Sequence, residues 1–139
     1  MSSGVGVNQE CLDLFQDLKL KHSYKYIIYK ISADNTEIVV ENSSTDADYE
    51  TFVSALPEAD CRYAVYDFEY TTEEGGKRNK ICFFTWAPDN AKIKSKMLYA
   101  SSQIALKKSL NGIAVEIQGT DFSEVDYESV LSKVSRGKY

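Results

Sequence analysis

Few residues of this chain are equipped for covalent chemistry. His22 is the single histidine among 139 residues, so a Ser-His or Cys-His nucleophilic arrangement would have only this base. It stands among Lys21, Ser23 and Tyr24, where a solvated side chain in a connector is expected. Cys11, Cys61 and Cys82 are odd in number, widely spaced and without a Cys-x-x-Cys, which disfavours both a metal centre and a disulfide framework. Cys61 and Cys82 fall in strand-like runs and read as small buried hydrophobes of a reducing compartment. Gly75-Gly76-Lys77 has the composition of a phosphate loop but lacks its glycine spacing and its following helix. The carboxylates show no spacing that singles out an acid–base pair. These residues give no support for an enzyme, a metal or a cofactor.

Charge is where the sequence departs from the ordinary. Residues 77–108 carry eight of the sixteen Lys/Arg residues and one acid, Asp89, a local +7; the other residues carry eight bases and twenty acids, −12, within a net charge of −5. A block this segregated steers anionic partners onto one face. Lys92, Lys94 and Lys96 fall in the first two turns of a predicted helix, where the helix dipole disfavours each by on the order of 0.3–1 kcal/mol at an exposed site. Selection for stability alone would favour acids there. Ile93, Met97, Ala100 and Ile104 make an apolar stripe on the same helix, so Met97 reads either as core or as an exposed anchor. Lys92 and Lys96 share a face at i,i+4, while Lys94 points elsewhere.

The elements that must position this block follow from periodicity. A chain of this length and 43% hydrophobic content is expected to form one folded domain. No apolar run approaches the roughly 20 residues a membrane span needs. The first seven residues have neither the basic nor the apolar region of a signal peptide, and Ser2 replaces the glycine that myristoylation requires. A helix is predicted over 8–20 with Asn8 as N-cap, then strands over 24–31 and 37–41 joined as a hairpin. A short helix over 46–56 is stopped by Pro57. Residues 62–70 alternate, with Tyr63, Val65, Asp67 and Glu69 on one face and Ala64, Tyr66, Phe68 and Tyr70 on the other. With 81–86 they make a long hairpin with a charged, glycine-containing tip at 73–78. The basic helix opens at Pro88-Asp89 and ends at Asn111-Gly112. A strand over 113–117 and a helix over 121–134, with Ser123 as candidate N-cap, complete the chain. Strands interleaved with four helices imply an α/β (α+β) fold, a mixed sheet covered on both faces.

At the basic helix the chain becomes recognisable. Asp67-Phe68-Glu69-Tyr70, Phe83-Phe84-Thr85-Trp86-Ala87-Pro88-Asp89 and Lys94-Ser95-Lys96-Met97-Leu98-Tyr99-Ala100-Ser101-Ser102 closely resemble the ADF/cofilin family of actin-depolymerising proteins. Ser3-Gly4-Val5, Leu110-Asn111-Gly112 and Gln118-Gly119-Thr120-Asp121 add to the likeness, which runs in order from residue 3 to 137 and is strongest to short fungal-type cofilins. The resemblance implies one ADF-homology domain over 1–139, its sheet sandwiched between two pairs of helices. Residues 1–7 would be a flexible N-terminal segment and 137–139 a C-terminal tail. It implies binding of monomeric and filamentous actin, with preference for ADP-actin, and promotion of severing and depolymerisation.

The resemblance also assigns residues. Ser3, Gly4, Val5, Lys94, Lys96 and Met97, joined by residues 123–126, would contact both monomer and filament. Arg78, Lys80, Lys133 and Arg136 would contact filaments only; Ser132 departs from the acid that short fungal-type members carry there. Ser3 would be a regulatory phosphorylation site. Lys94, Lys96, Lys107 and Lys108 would bind phosphatidylinositol bisphosphate in competition with actin, although Lys107-Lys108 equally suit a helix C-terminus. Implied partners are actin, this lipid and cofilin-cooperating actin regulators, with no nucleic acid and a monomeric state. The implied location is the cytoplasm and actin cytoskeleton, with nuclear entry left open. Two other readings remain: a phosphoinositide-binding peripheral module, and a filament-binding relative that does not sever.

Overall fold

Residues with branched and aromatic side chains, which suit a pleated surface, supply six strands: β1 (Gly6–Val7), β2 (Tyr26–Ile31), β3 (Glu37–Ser44), β4 (Arg62–Thr71), β5 (Lys77–Trp86) and β6 (Ile113–Gly119). The computed structural model describes residues 4–45 and 48–136, apart from the Arg136 side chain. The strands form one sheet in the order β1-β3-β2-β4-β5-β6. Its centre is antiparallel, while the edge strands β1 and β6 run parallel to β3 and β5. The mixed sheet expected from the sequence is therefore present.

Alternation along β4 divides the interior into two cores. Tyr63 and Val65 join Cys11 and Phe15 of α1 (Gln9–Gln16) and Tyr99 and Leu106 of α3 (Ile93–Ser109). Ala64, Tyr66 and Phe68 join Tyr49 and Phe52 of α2 (Tyr49–Ser54) and Val130 and Val134 of α4 (Tyr127–Arg136). Two helices on each face match the sandwich implied by the resemblance. All three cysteines are buried and free.

Three local expectations are corrected. The segment 1–7 is not a free arm throughout. Gly6 and Val7 pair with Glu37 and Ile38, and Val5 is buried in the first core; residues 1–3 and the tail 137–139 lie outside the described residues. Helix 8–20 is not one α-helix. Asn8 caps it as predicted, accepting from the Glu10 amide at 2.9 Å, but after Gln16 it passes into a π-helical turn, Asp17–Lys21, that closes at His22 in left-handed backbone with φ 55°. Helix 121–134 is two pieces, a 3-10 turn at Phe122–Glu124 and then α4. Asp121 and Asp126 supply the caps, accepting from the Ser123 and Ser129 amides at 2.9 Å each, so Ser123 is not the N-cap of the last helix.

His22 is also not merely solvated. Its side chain is 64% exposed, yet Nδ1 lies 3.1 Å from Oδ2 of the buried Asp67. The basic helix begins later than predicted, at Ile93, with Lys92 in the N-cap position and no side chain capping it.

Candidate functional site

The helix α3 is clamped to the sheet along one side only. The Ile31 amide donates to the Tyr99 hydroxyl at 2.9 Å, the Tyr63 hydroxyl donates to the Tyr99 carbonyl, and Gln103 donates to the Thr85 hydroxyl at 2.7 Å. Tyr99, Ser102 and Leu106 are its buried residues. The opposite side carries the apolar stripe: Ile93 is 73%, Met97 66% and Ile104 59% exposed, and Ala100 between them is exposed. Met97 is thus a surface side chain, which decides between the two readings left open by the sequence. At about 100° per residue, Lys94 and Lys96 fall on opposite flanks of this ridge. Lys94 is exposed. Lys96 is half-buried and donates from Nζ to the Asp89 carbonyl at 3.0 Å.

Burying exposed apolar side chains ringed by charge is what an interface centre with a polar rim does. No acid neutralises the first turn of α3, so the lysines and the helix dipole add to a positive field at this end.

Two further segments adjoin the ridge. β1 packs beside α3, which brings Val5 and Gly4 to its flank; Gly4 has φ +84°, a conformation that favours glycine. Ser3 lies outside the described residues. On the other side, the Asp89 amide donates to the Thr120 carbonyl at 3.1 Å, so the 120–126 segment neighbours the start of α3. Two of its carboxylates have hydrogen-bond donors close by. The backbone and hydroxyl of Thr120 hydrogen-bond Glu124, and the Ser129 amide hydrogen-bonds Asp126, lowering both acids below their ordinary range. Of the residues expected at the primary surface, Lys94, Met97, Ser123, Glu124 and Asp126 are exposed and Lys96 half-buried, whereas Val5 and Val125 are buried in the two cores and support that surface from beneath.

Of the residues expected to contact filaments alone, Lys80 links the hairpin to the last helix. Lys80 reaches from β5 to the Val134 carbonyl of α4 at 3.0 Å and covers the Tyr70 ring at 5.6 Å. Arg78, two residues nearer the hairpin tip, emerges exposed on the same sheet face, and Lys133 is exposed on α4. The Arg136 side chain lies outside the description; its backbone ends α4. Ser132 is exposed on that helix.

The four lysines expected to bind phosphoinositide do not form one cluster. Lys94 and Lys96 precede Lys107 and Lys108 by three turns or more of helix, about 17–21 Å along the axis. Lys107 is also committed to Glu116 at 2.8 Å. Among the described residues no group of three or more His, Cys, Asp or Glu side chains is arranged to hold a metal ion. Among the described residues no helix is long and apolar enough to cross a membrane.

A helix-covered mixed sheet that presents a charged apolar ridge defines a protein-binding domain. Comparison with known proteins gives the class a family. Residues 4–135 match the family model of cofilin/tropomyosin-type actin-binding proteins. The chain is 63% identical to a cofilin of Mycosarcoma maydis over the whole of both chains. It is 56% identical to the cofilin of Saccharomyces cerevisiae over 97% of this chain and 95% of that one. Its fold superposes on a crystal structure of Streptomyces griseoflavus cofilin with TM-score 0.91 and 57% identity, covering 96% of this chain and 99% of that one. Actin depolymerization factor 2 of Plasmodium berghei gives TM-score 0.86 and 37% identity over 97% and 98%. The chain belongs to the ADF/cofilin family.

Proposed function

We propose that this protein binds monomeric and filamentous actin, favours ADP-loaded protomers, and promotes filament severing and depolymerisation. Membership in the family supports actin binding and depolymerisation. The observation that carries the reading to particular residues is the solvent-facing Ile93–Met97–Ile104 ridge flanked by Lys94 and Lys96. Met97 is the apolar anchor, and Lys94 and Lys96 meet carboxylates of actin, an acidic partner that the basic block would steer into place. Arg78, Lys80, Lys133 and Arg136 form a second contact used when a neighbouring protomer is present, as in a filament.

No covalent step is needed. A protein that binds one filament geometry more tightly shifts the population toward it by that difference in affinity. Boundaries between occupied and bare stretches are then the places where filaments break. The test is direct imaging of surface-tethered filaments with the purified protein. Severing and faster subunit loss at partial occupancy are expected; decoration with no breakage would reduce the protein to a side-binder.

Phosphorylation of Ser3 and binding of phosphatidylinositol bisphosphate are proposed as two controls on the primary surface. A phosphate adds about −1.5 to −2 charge next to the residues that must meet acidic actin, so Ser3→Glu is expected to lose monomer and filament binding together. The lipid headgroup would compete for Lys94 and Lys96, with Lys108 a separate, more distant contact. Vesicles carrying the lipid are expected to release bound actin, and failure to compete would reject the overlap. A cytoplasmic, cytoskeletal location follows from this reading.

A further inference from the structure

We infer that His22 is a positioning residue for the filament-contacting surface: through Asp67 and Asn79 it fixes the stretch of β5 that carries Arg78 and Lys80. The inference rests on the reading of Arg78 and Lys80 as filament contacts. Asp67 is 5% exposed, and a carboxylate removed from water needs donors. It has two side-chain donors from different elements. Asn79 donates from Nδ2 to Oδ1 at 3.1 Å, and His22 Nδ1 lies 3.1 Å from Oδ2. A carboxylate only accepts, so Nδ1 carries the hydrogen.

Asn79 lies between Arg78 and Lys80 in a strand whose side chains alternate. Tying Asn79 to Asp67 on the first face fixes how its two neighbours leave the second. Lys77, Arg78 and Asn79 are all exposed and β6 begins only opposite Ile81, so besides the ladder to Glu69, Tyr70 and Thr71 and the Lys80 contact with α4 this tie is what orients the side chains at this end of the hairpin.

The backbone under His22 is built for the task. The π-helical turn at Asp17–Lys21, a rare geometry concentrated at functional positions, closes with the His22 amide on the Asp17 carbonyl. His22 then takes a left-handed conformation, φ 55°, uncommon for a residue with a Cβ. The same turn grips α3: Lys19 donates to the Asn111 carbonyl at 2.9 Å. One short turn therefore reaches both the far end of the primary helix and the stretch of the hairpin next to Arg78 and Lys80.

The test uses His22→Gly, which tolerates the left-handed backbone but has no donor, and His22→Asn, which also tolerates it and returns an amide donor at the same reach. An Arg78→Ala/Lys80→Ala double variant is the control. His22→Gly is expected to weaken filament co-sedimentation about fivefold or more, to shift the Asn79 side-chain amide resonances, and to leave monomer affinity within about twofold. His22→Asn is expected to restore filament affinity. If the control weakens filament binding and His22→Gly does not, the positioning role is wrong and the filament surface stands. Equal losses for monomer and filament, or no rescue by His22→Asn, would also overturn it. A control that still binds filaments normally rejects the filament surface itself, and the inference with it.

Discussion

The ammonium group of Lys80 donates to the Val134 carbonyl at 3.0 Å, joining the long hairpin to the last helix. Residues more than fifty positions apart thereby share one surface. Val134 is an end-of-helix carbonyl with few intrahelical donors left, and a cation is favoured near a helix C-terminus. The contact stabilises the fold and orders the candidate filament site at once.

Arg78→Ala/Lys80→Ala should accordingly weaken filament binding about tenfold or more while monomer binding changes little. Parallel co-sedimentation and monomer titrations check this. Equal effects on both forms would contradict a filament-only role.

Met97→Ala separates interface from core. A side chain that is 66% exposed contributes little to folding, so its loss should change stability by less than about 0.5 kcal/mol. As an interface anchor it should cost about 2 kcal/mol or more of actin affinity. Urea unfolding and an actin titration on the same sample distinguish the two.

Gly119 is required for packing. A Cβ there, at the end of β6 where the chain enters the 120–126 segment, would lie 2.6 Å from Val125 Cγ1 and 3.1 Å from Trp86 Cε3. Gly119→Ala should destabilise by about 1–3 kcal/mol and lower the urea midpoint. An unchanged midpoint would mean that Val125 gives way freely.

The thiols should be inert in the native state. Burial raises Cys11 and Cys82 to about 12 and, with Asp60 nearby, Cys61 to about 11. The reactive form is the thiolate, so a disulfide reagent at pH 8 should label none of the three until the chain unfolds. Rapid labelling of the native protein would contradict the packing of both cores.

Much of this was legible because it is locally encoded. The alternation over 62–70 gave β4 and the division of its side chains between two cores, and Asn111-Gly112 marked the end of α3, where Gly112 takes φ +105°. The lysines at the start of α3 are unfavourable enough to the helix to point outward to a partner. What escaped depends on distant partners. β1 is two residues long and exists only through pairing with Glu37 and Ile38, so no local period announces it. The division of the last segment turns on two aspartate caps five residues apart, Asp121 and Asp126, in a stretch whose polar residues offered several candidates. His22 gave no sign of its role, because Asp67 lies 45 positions away. Whether Met97 faced in or out could be decided only once Tyr99 and Leu106 were seen to turn the other side of α3 toward the sheet.

The central claim is that the exposed ridge of α3 is where actin binds. The most direct measurement is the affinity of Lys94→Ala/Lys96→Ala for both actin monomers and filaments, with the fold checked by its unfolding midpoint. Loss of both affinities by about 2–5 kcal/mol, with the midpoint retained, is the expected result. Wild-type binding to either form of actin would contradict it.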